Sequence, residues 1–191
     1  MVIFEGNSGK GRKTLKHIVL RGGRGVGKSY LLRVVLKGKN YSLGGFFTRR
    51  EPGPAGEADS VYIHPAGEPE AIWRFDDENC VGRSREHRLL ARYPAVFDTL
   101  GVQFLSGPEK PDIIVMDELG LMEKEAYLFQ QAVLRALDGE TPVLAVVKNR
   151  ETDFLTAVCA HPRVSVYDVT PENRTDLQRL LSEQGKLWGE K

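Results

Sequence analysis

The sequence predicts an α/β fold, a mostly parallel sheet flanked by helices with a small β insertion. Three observations carry this. A β-rich run at 17–20 (HIVL) passes through a glycine turn into a helical pattern over 28–37. Two continuous apolar runs, 112–116 (DIIVM, after its first residue) and 143–147 (VLAVV), have the length and content of strands buried on both faces. Helical and strand patterns then alternate through the second half of the chain, the order that builds a parallel sheet.

Each element follows from local pattern. Residues 1–15 are basic and glycine-interrupted, which predicts a flexible N-terminal arm. In 28–37, Leu31, Leu32, Val35 and Leu36 recur at helical spacing, and Gly38 is a natural stop. Residues 44–48 (GGFFT) read as a second strand and 51–59 (EPGPAGEAD) as a turn-rich loop. The alternating runs 60–64 and 71–75 read as strands of an antiparallel insertion over about 44–80. Residues 83–99 read as a helix interrupted near Pro94, extending the insertion and its lid to about 100. Residues 123–137 are amphipathic, with Ala126, Phe129, Val133 and Leu137 on one face. A helix over 151–160, a strand over 164–169 and a helix over 171–183 with Pro171 at its start complete the pattern. The predicted division is an arm (1–15), one nucleotide-binding domain (16–185) and a short tail (186–191).

The 191 residues are 41% hydrophobic and 28% charged, enough for a sizeable core and too apolar for a disordered chain. No apolar run approaches the roughly 20 residues that span a bilayer. The N-terminus lacks the basic-then-apolar order of a signal peptide. Cys80 and Cys159 read as free thiols in a reducing cytoplasm. His17, His64, His87 and His161 have no metal-ligand spacing, and Trp73 and Trp188 read as packing groups. Charge is unevenly spread. Residues 1–50 hold 12 Lys/Arg against Glu5 alone, and residues 51–80 hold 8 acids against Arg74 alone. The first quarter therefore suits a polyanion. Nucleic acid is one such partner and a nucleoside triphosphate another, and the motifs favour the second.

Gly22-Gly23-Arg24-Gly25-Val26-Gly27-Lys28-Ser29 fits the phosphate-loop pattern G-x-x-x-x-G-K-[ST], with a strand before it and a helix after it. Glycines let backbone N–H groups converge on phosphate oxygens, and the helix start adds positive potential. Lys28 is expected to reach the β- and γ-phosphates and Ser29 to ligate Mg²⁺. Arg24 either touches phosphate or is solvated. Residues 112–118 form an apolar strand ending in Asp117 and Glu118. Asp117 is expected in the Mg²⁺ shell, and Glu118 is expected to polarise an attacking water. A parallel sheet delivers strand-end residues to its carboxyl edge, where ligands bind.

The chain resembles the P-loop nucleoside-triphosphatase family first described from thermophiles, which also has a human cancer-related member. The matching blocks are IVLRGGRGVGKS, GGFFTRRE, PDIIVMDELGLME, PVLAVVKNR and VTPENRTDL, spanning about 17–180. The resemblance implies a RecA-like core and Mg²⁺-dependent hydrolysis of ATP, GTP and other nucleoside triphosphates to the diphosphate and phosphate. Three features depart from it, the first being residues 1–15, an extension without a clear counterpart. The segment after Thr48 is short and rich in Pro and Gly where a better defined hairpin is usual. Tyr30 follows Ser29 where a small residue is commoner.

Further residues carry paired readings. Lys148 and Arg150 close the strand after the acidic one, as γ-phosphate contacts or as solvated loop cations. Arg83, Arg85, Arg88 and Arg92 are phosphate-clamping lid residues or a solvated helix face. Asn173 and Arg174 approach the base or cap a helix. Two other functions use the same motifs. One is a kinase that transfers the γ-phosphoryl group to a small acceptor. The other is a nucleotide-gated binding module docked through the basic arm.

Overall fold

The computed structural model describes residues 17–186, apart from 56, 87, 108 and 109. The expected arm (1–15) and the expected tail past residue 186 lie outside the described residues, as do His87 and Trp188.

An eight-stranded sheet organises the chain. The elements are β1 (His17–Gly22), α1 (Lys28–Leu36), β2 (Leu43–Glu51), β3 (Asp59–Pro65), β4 (Cys80–Arg85) and β5 (Arg88–Arg92). A helical run follows, α2 (Pro94–Val96), a widened turn (Phe97–Gly101) and α3 (Val102–Leu105). Then come β6 (Ile113–Leu119), α4 (Tyr127–Asp138), β7 (Val143–Lys148), α5 (Asp153–Ala160), β8 (Val164–Asp168) and α6 (Arg174–Lys186). The strand order is β5-β4-β3-β2-β6-β7-β1-β8. Strands β2, β6, β7, β1 and β8 pair in parallel, and β3, β4 and β5 extend the sheet antiparallel from β2.

Strand periodicity divides the core between the two faces. Along β7, Leu144 and Val146 face α1 and α6 with Leu31, Leu32, Val35 and Leu181. Val143, Ala145 and Val147 face the opposite side with Phe97, Phe129 and Val133. This two-sided burial is why the β6 and β7 sequences read as continuous apolar runs.

Three expectations are corrected. Residues 83–85 and 88–92 belong to strands β4 and β5, not to a helix; the helical run starts only at Pro94, which occupies its first position. The segment 71–75 is not a strand. After Pro69 the chain makes one helical turn, Glu70–Ile72, with Ile72 60% exposed and Trp73 buried against His64. The segment after Thr48 does form a defined hairpin, with β2 and β3 registered from Phe46↔Pro65 to Glu51↔Ser60.

Helix starts also shift, for local reasons. Thr152 accepts the Leu155 N–H and so places the start of α5 at Asp153. Thr170 and Asn173 exchange side-chain-to-backbone bonds, a turn that delays α6 to Arg174. The Glu123 carboxylate accepts the Gly120 N–H, and the Gln130 amide donates to the Glu123 and Lys124 carbonyls. Residues 120–126 are thereby held as a loop before α4.

Candidate nucleotide site

Three parallel strand ends make the site. β7 lies between β1 and β6, so Gly22 pairs with Lys148 and Asp117 pairs with Val146. The register then skips Glu118 and resumes at Leu119↔Val147. The phosphate loop, the two acids and Lys148 thus share one sheet edge.

The loop enters α1 through Gly27, whose φ of 96° suits glycine. A Cβ there would also lie 2.8 Å from Arg174 Cδ. No side chain caps the start of α1 and no acid sits in its first turn, so its N–H groups and dipole are directed at the loop. Lys28 is 5% exposed. Its ammonium donates to the Gly23 carbonyl at 2.7 Å and lies 3.7 Å from Glu118 Oε2. Lys148 Nζ contacts the other Glu118 oxygen at 2.7 Å. The Glu118 N–H donates to Thr48 Oγ1 at 3.2 Å, which ties the acid to β2. Glu118 is therefore a partly exposed carboxylate held between two ammonium groups.

Asp117 is different. It is 5% exposed, and Ser29 Oγ donates to its Oδ1 at 2.8 Å. Burial pushes its carboxyl up to about 6; the Ser29 bond opposes that rise, and neighbouring Glu118 adds to it. A hydroxyl and a buried carboxylate side by side are hard oxygen donors, and a divalent cation between them would offset the cost of burying the charge.

Arg24, Gly25, Gly27, Lys28, Ser29 and Tyr30 line one wall of a cavity of about 280 Å³, and Arg50, Glu118 and Lys148 line the other. Gly22 and Gly23 line a neighbouring cavity, and a Cβ at Gly22 would lie 2.6 Å from the Val169 carbonyl oxygen and 3.1 Å from Val26 Cγ2. Tyr30 is 54% exposed, and the Arg174 guanidinium sits 6.0 Å from its ring centroid. Arg174 thus joins the rim of the site. Asn173 does not present its side chain there: it accepts from the Thr170 N–H and donates to the Asp168 carbonyl, a turn role. Arg150 lines a neighbouring cavity, not this one.

The four arginines of 83–92 do not line the 280 Å³ cavity; Arg83 pairs with Asp77 and Arg92 with Glu125. Besides Arg24 of the phosphate loop, Arg50 lines it, braced by Asp59 at 3.1 Å and by Ser84. Sequence reasoning passed over it. The available signal was its place at the end of β2, a strand parallel to β6 that delivers its last residues to the same edge.

A mostly parallel α/β sheet with a phosphate loop and two acids at one edge defines the P-loop nucleotide-binding class. The model of the NTPase family matches residues 17–181, and the chain belongs to that family. Curated relatives include the nucleoside-triphosphatase THEP1 of Thermofilum pendens, 35% identical over 82 residues (42% of this chain, 45% of that one). That of Methanopyrus kandleri is 32% identical over 82 residues (42% and 46%). The matched stretch spans about half the length of these relatives. The crystal structure of THEP1 from Aquifex aeolicus superposes with a TM-score of 0.61 at 20% identity, over 88% of this chain and 98% of that one. The solution structure of a human cancer-related nucleoside triphosphatase gives 0.61 at 24%, over 92% and 100%. These structures share the fold. No helix among the described residues is long and apolar enough to cross a membrane.

Proposed function

We propose that this chain hydrolyses ATP, GTP and other nucleoside triphosphates to the diphosphate and phosphate, in the cytoplasm and with Mg²⁺. The observation that supports it best is Glu118, held by Lys28 and Lys148 beside the phosphate loop. Backbone N–H groups of 22–29 and the start of α1 bind the phosphates. Ser29 Oγ and Asp117 are the donors that would hold Mg²⁺, which supplies charge neutralisation at the phosphate oxygens. Glu118 orients a water and takes its proton as the oxygen attacks the γ-phosphorus. The bond to the bridging oxygen breaks, and the diphosphate leaves with that electron pair. Lys28 and Lys148 offset charge on the transferring group. Tyr30 and Arg174 form a platform for the base or ribose at the rim.

A second reading, phosphoryl transfer to a small acceptor, has one observation in its favour, the neighbouring cavity lined by Arg24, Lys148 and Arg150. Phosphate release from ATP, GTP, CTP and UTP with Mg²⁺ and no acceptor separates the two. Release that disappears in Lys28→Ala supports hydrolysis. Tight nucleotide binding without release refutes it and favours transfer.

A further inference from the structure

A second cavity of about 190 Å³ opens on the other side of Arg24, Arg50 and Lys148. It lies between the first residues of the phosphate loop, the end of β7 and the β4–β5 hairpin. Among the described residues four cations line it, Arg24, Arg50, Lys148 and Arg150, and no carboxylate does. They come from separate segments: the phosphate loop, the end of β2, and the end of β7 with the loop after it. Arg50 and Lys148 are held in place by Asp59 and Glu118, whose carboxylates lie outside this lining. Even with Arg50 and Lys148 ion-paired, the described lining is basic on several sides, and a small space of that kind favours an anion. Guanidinium groups match phosphate oxygens in geometry as well as charge. Leu89 and Met122 line the same space and offer an apolar wall.

The sharing of three cations sets the position of the ligand. Arg24, Arg50 and Lys148 face both cavities. A group in the second cavity therefore sits beside the terminal phosphate of a nucleotide in the first. We propose that the second cavity binds a phosphate group, held by Arg24, Arg50, Lys148 and Arg150, while a nucleoside triphosphate fills the first. The proposal rests on the nucleotide reading above and adds a second ligand to it. The phosphate has two sources, the ion released by hydrolysis or a phosphate monoester whose apolar body rests on Leu89 and Met122.

The test uses the protein saturated with Mg²⁺ and AMP-PNP, so that the phosphate loop is filled. Inorganic phosphate and phenyl phosphate are then titrated separately by calorimetry. One equivalent is expected to bind. Leu89→Glu, which puts a carboxylate among the four cations, is expected to weaken it by about tenfold or more. Leu90→Glu on the same strand, exposed and lining neither cavity, controls for strand disruption and leaves the affinity unchanged. Leu89→Ala retains binding of inorganic phosphate, which has no apolar body to rest on that wall, and so separates charge from packing. Binding of both probes supports a monoester site. Binding of inorganic phosphate alone supports a holding site for the reaction product. Tight AMP-PNP binding with neither probe bound, or equal affinity in Leu89→Glu, overturns this proposal alone. Absent AMP-PNP binding overturns the nucleotide reading and this proposal with it.

Discussion

Asp117 and Glu118 are neighbours in sequence, yet their surroundings separate their chemistry. Asp117 is buried against the Ser29 hydroxyl, and Glu118 reaches between two ammonium groups. Glu118→Gln keeps the size of the side chain and removes its basicity. Turnover is expected to fall by about 10²–10⁴-fold, while AMP-PNP affinity stays within a few-fold. Equal losses of both would assign Glu118 a binding role. A third acid, Glu123, is 1% exposed behind the site, and its carboxylate accepts the Gly120 N–H. Burial pushes it up to about 7 from an ordinary 4.5; backbone bonds and Lys148 oppose the shift, and Glu118 adds to it. A carboxyl raised in the folded state holds its proton more tightly there than in the unfolded chain. Its contribution to stability is complete below about pH 4.5 and is lost as pH rises through 7. Glu123→Gln keeps an acceptor for Gly120 and cannot ionise. Its stability relative to wild type should therefore rise by about 3 kcal/mol between pH 4.5 and pH 8. Urea melts across that range measure it, and a constant difference would mean that Glu123 is not raised.

At the scale of elements, Gly45 shows how closely β2 is laid against β6. Its φ is 86°, and a Cβ there would stand 2.0 Å from the Val115 carbonyl oxygen. Gly45→Ala must therefore distort the β2–β6 pairing that carries Thr48 and Arg50 to the site. A loss of about 3 kcal/mol or more in a denaturant melt is expected, and a loss below about 1 kcal/mol would show that the strand gives way easily. The same strands show what was legible beforehand. The β1–α1 unit and the β6 and β7 runs were readable because each joins a continuous apolar pattern to a polar terminus. The β4–β5 hairpin was not. Its arginines favour helix by intrinsic propensity, and its turn uses Glu86 at φ 46°, with no Asn-Gly or Asp-Gly to mark it. Gly82 is the clue that remains: a Cβ there would lie 2.7 Å from the Ala91 carbonyl oxygen, a close approach of paired strands. The site divides similarly. Lys28, Ser29, Asp117, Glu118 and Lys148 sit at motif positions on parallel strands or at the loop, and their convergence follows from sheet topology. Arg50 depends on a brace from Asp59 and Ser84, two residues far from it in pattern and unrelated to any motif.

Across the whole molecule, the site joins parts that are distant along the sheet. The phosphate loop and Arg174 belong to the β1–β8 end, and Arg50 belongs to the β2–β5 end. A nucleotide that touches both ends binds the folded chain and not the unfolded one, so it must raise the melting temperature by mass action. At 100 times its dissociation constant, Mg²⁺–AMP-PNP adds about 2.7 kcal/mol. For a domain of this size that is a shift of roughly 5–11 °C. The shift has two separable requirements. Lys28→Ala removes the cation proposed to reach the phosphates and is expected to abolish most of it at the same ligand concentration. Chelating the Mg²⁺ removes the ion that Ser29 and Asp117 are proposed to hold, and is expected to reduce the shift in wild type while leaving the melting temperature of the nucleotide-free chain unchanged. The second comparison matters because a purely structural Ser29–Asp117 bond would make the shift indifferent to the chelator. A shift that survives both changes would place the nucleotide somewhere other than the phosphate loop, and the geometry of 22–29 would then need another explanation.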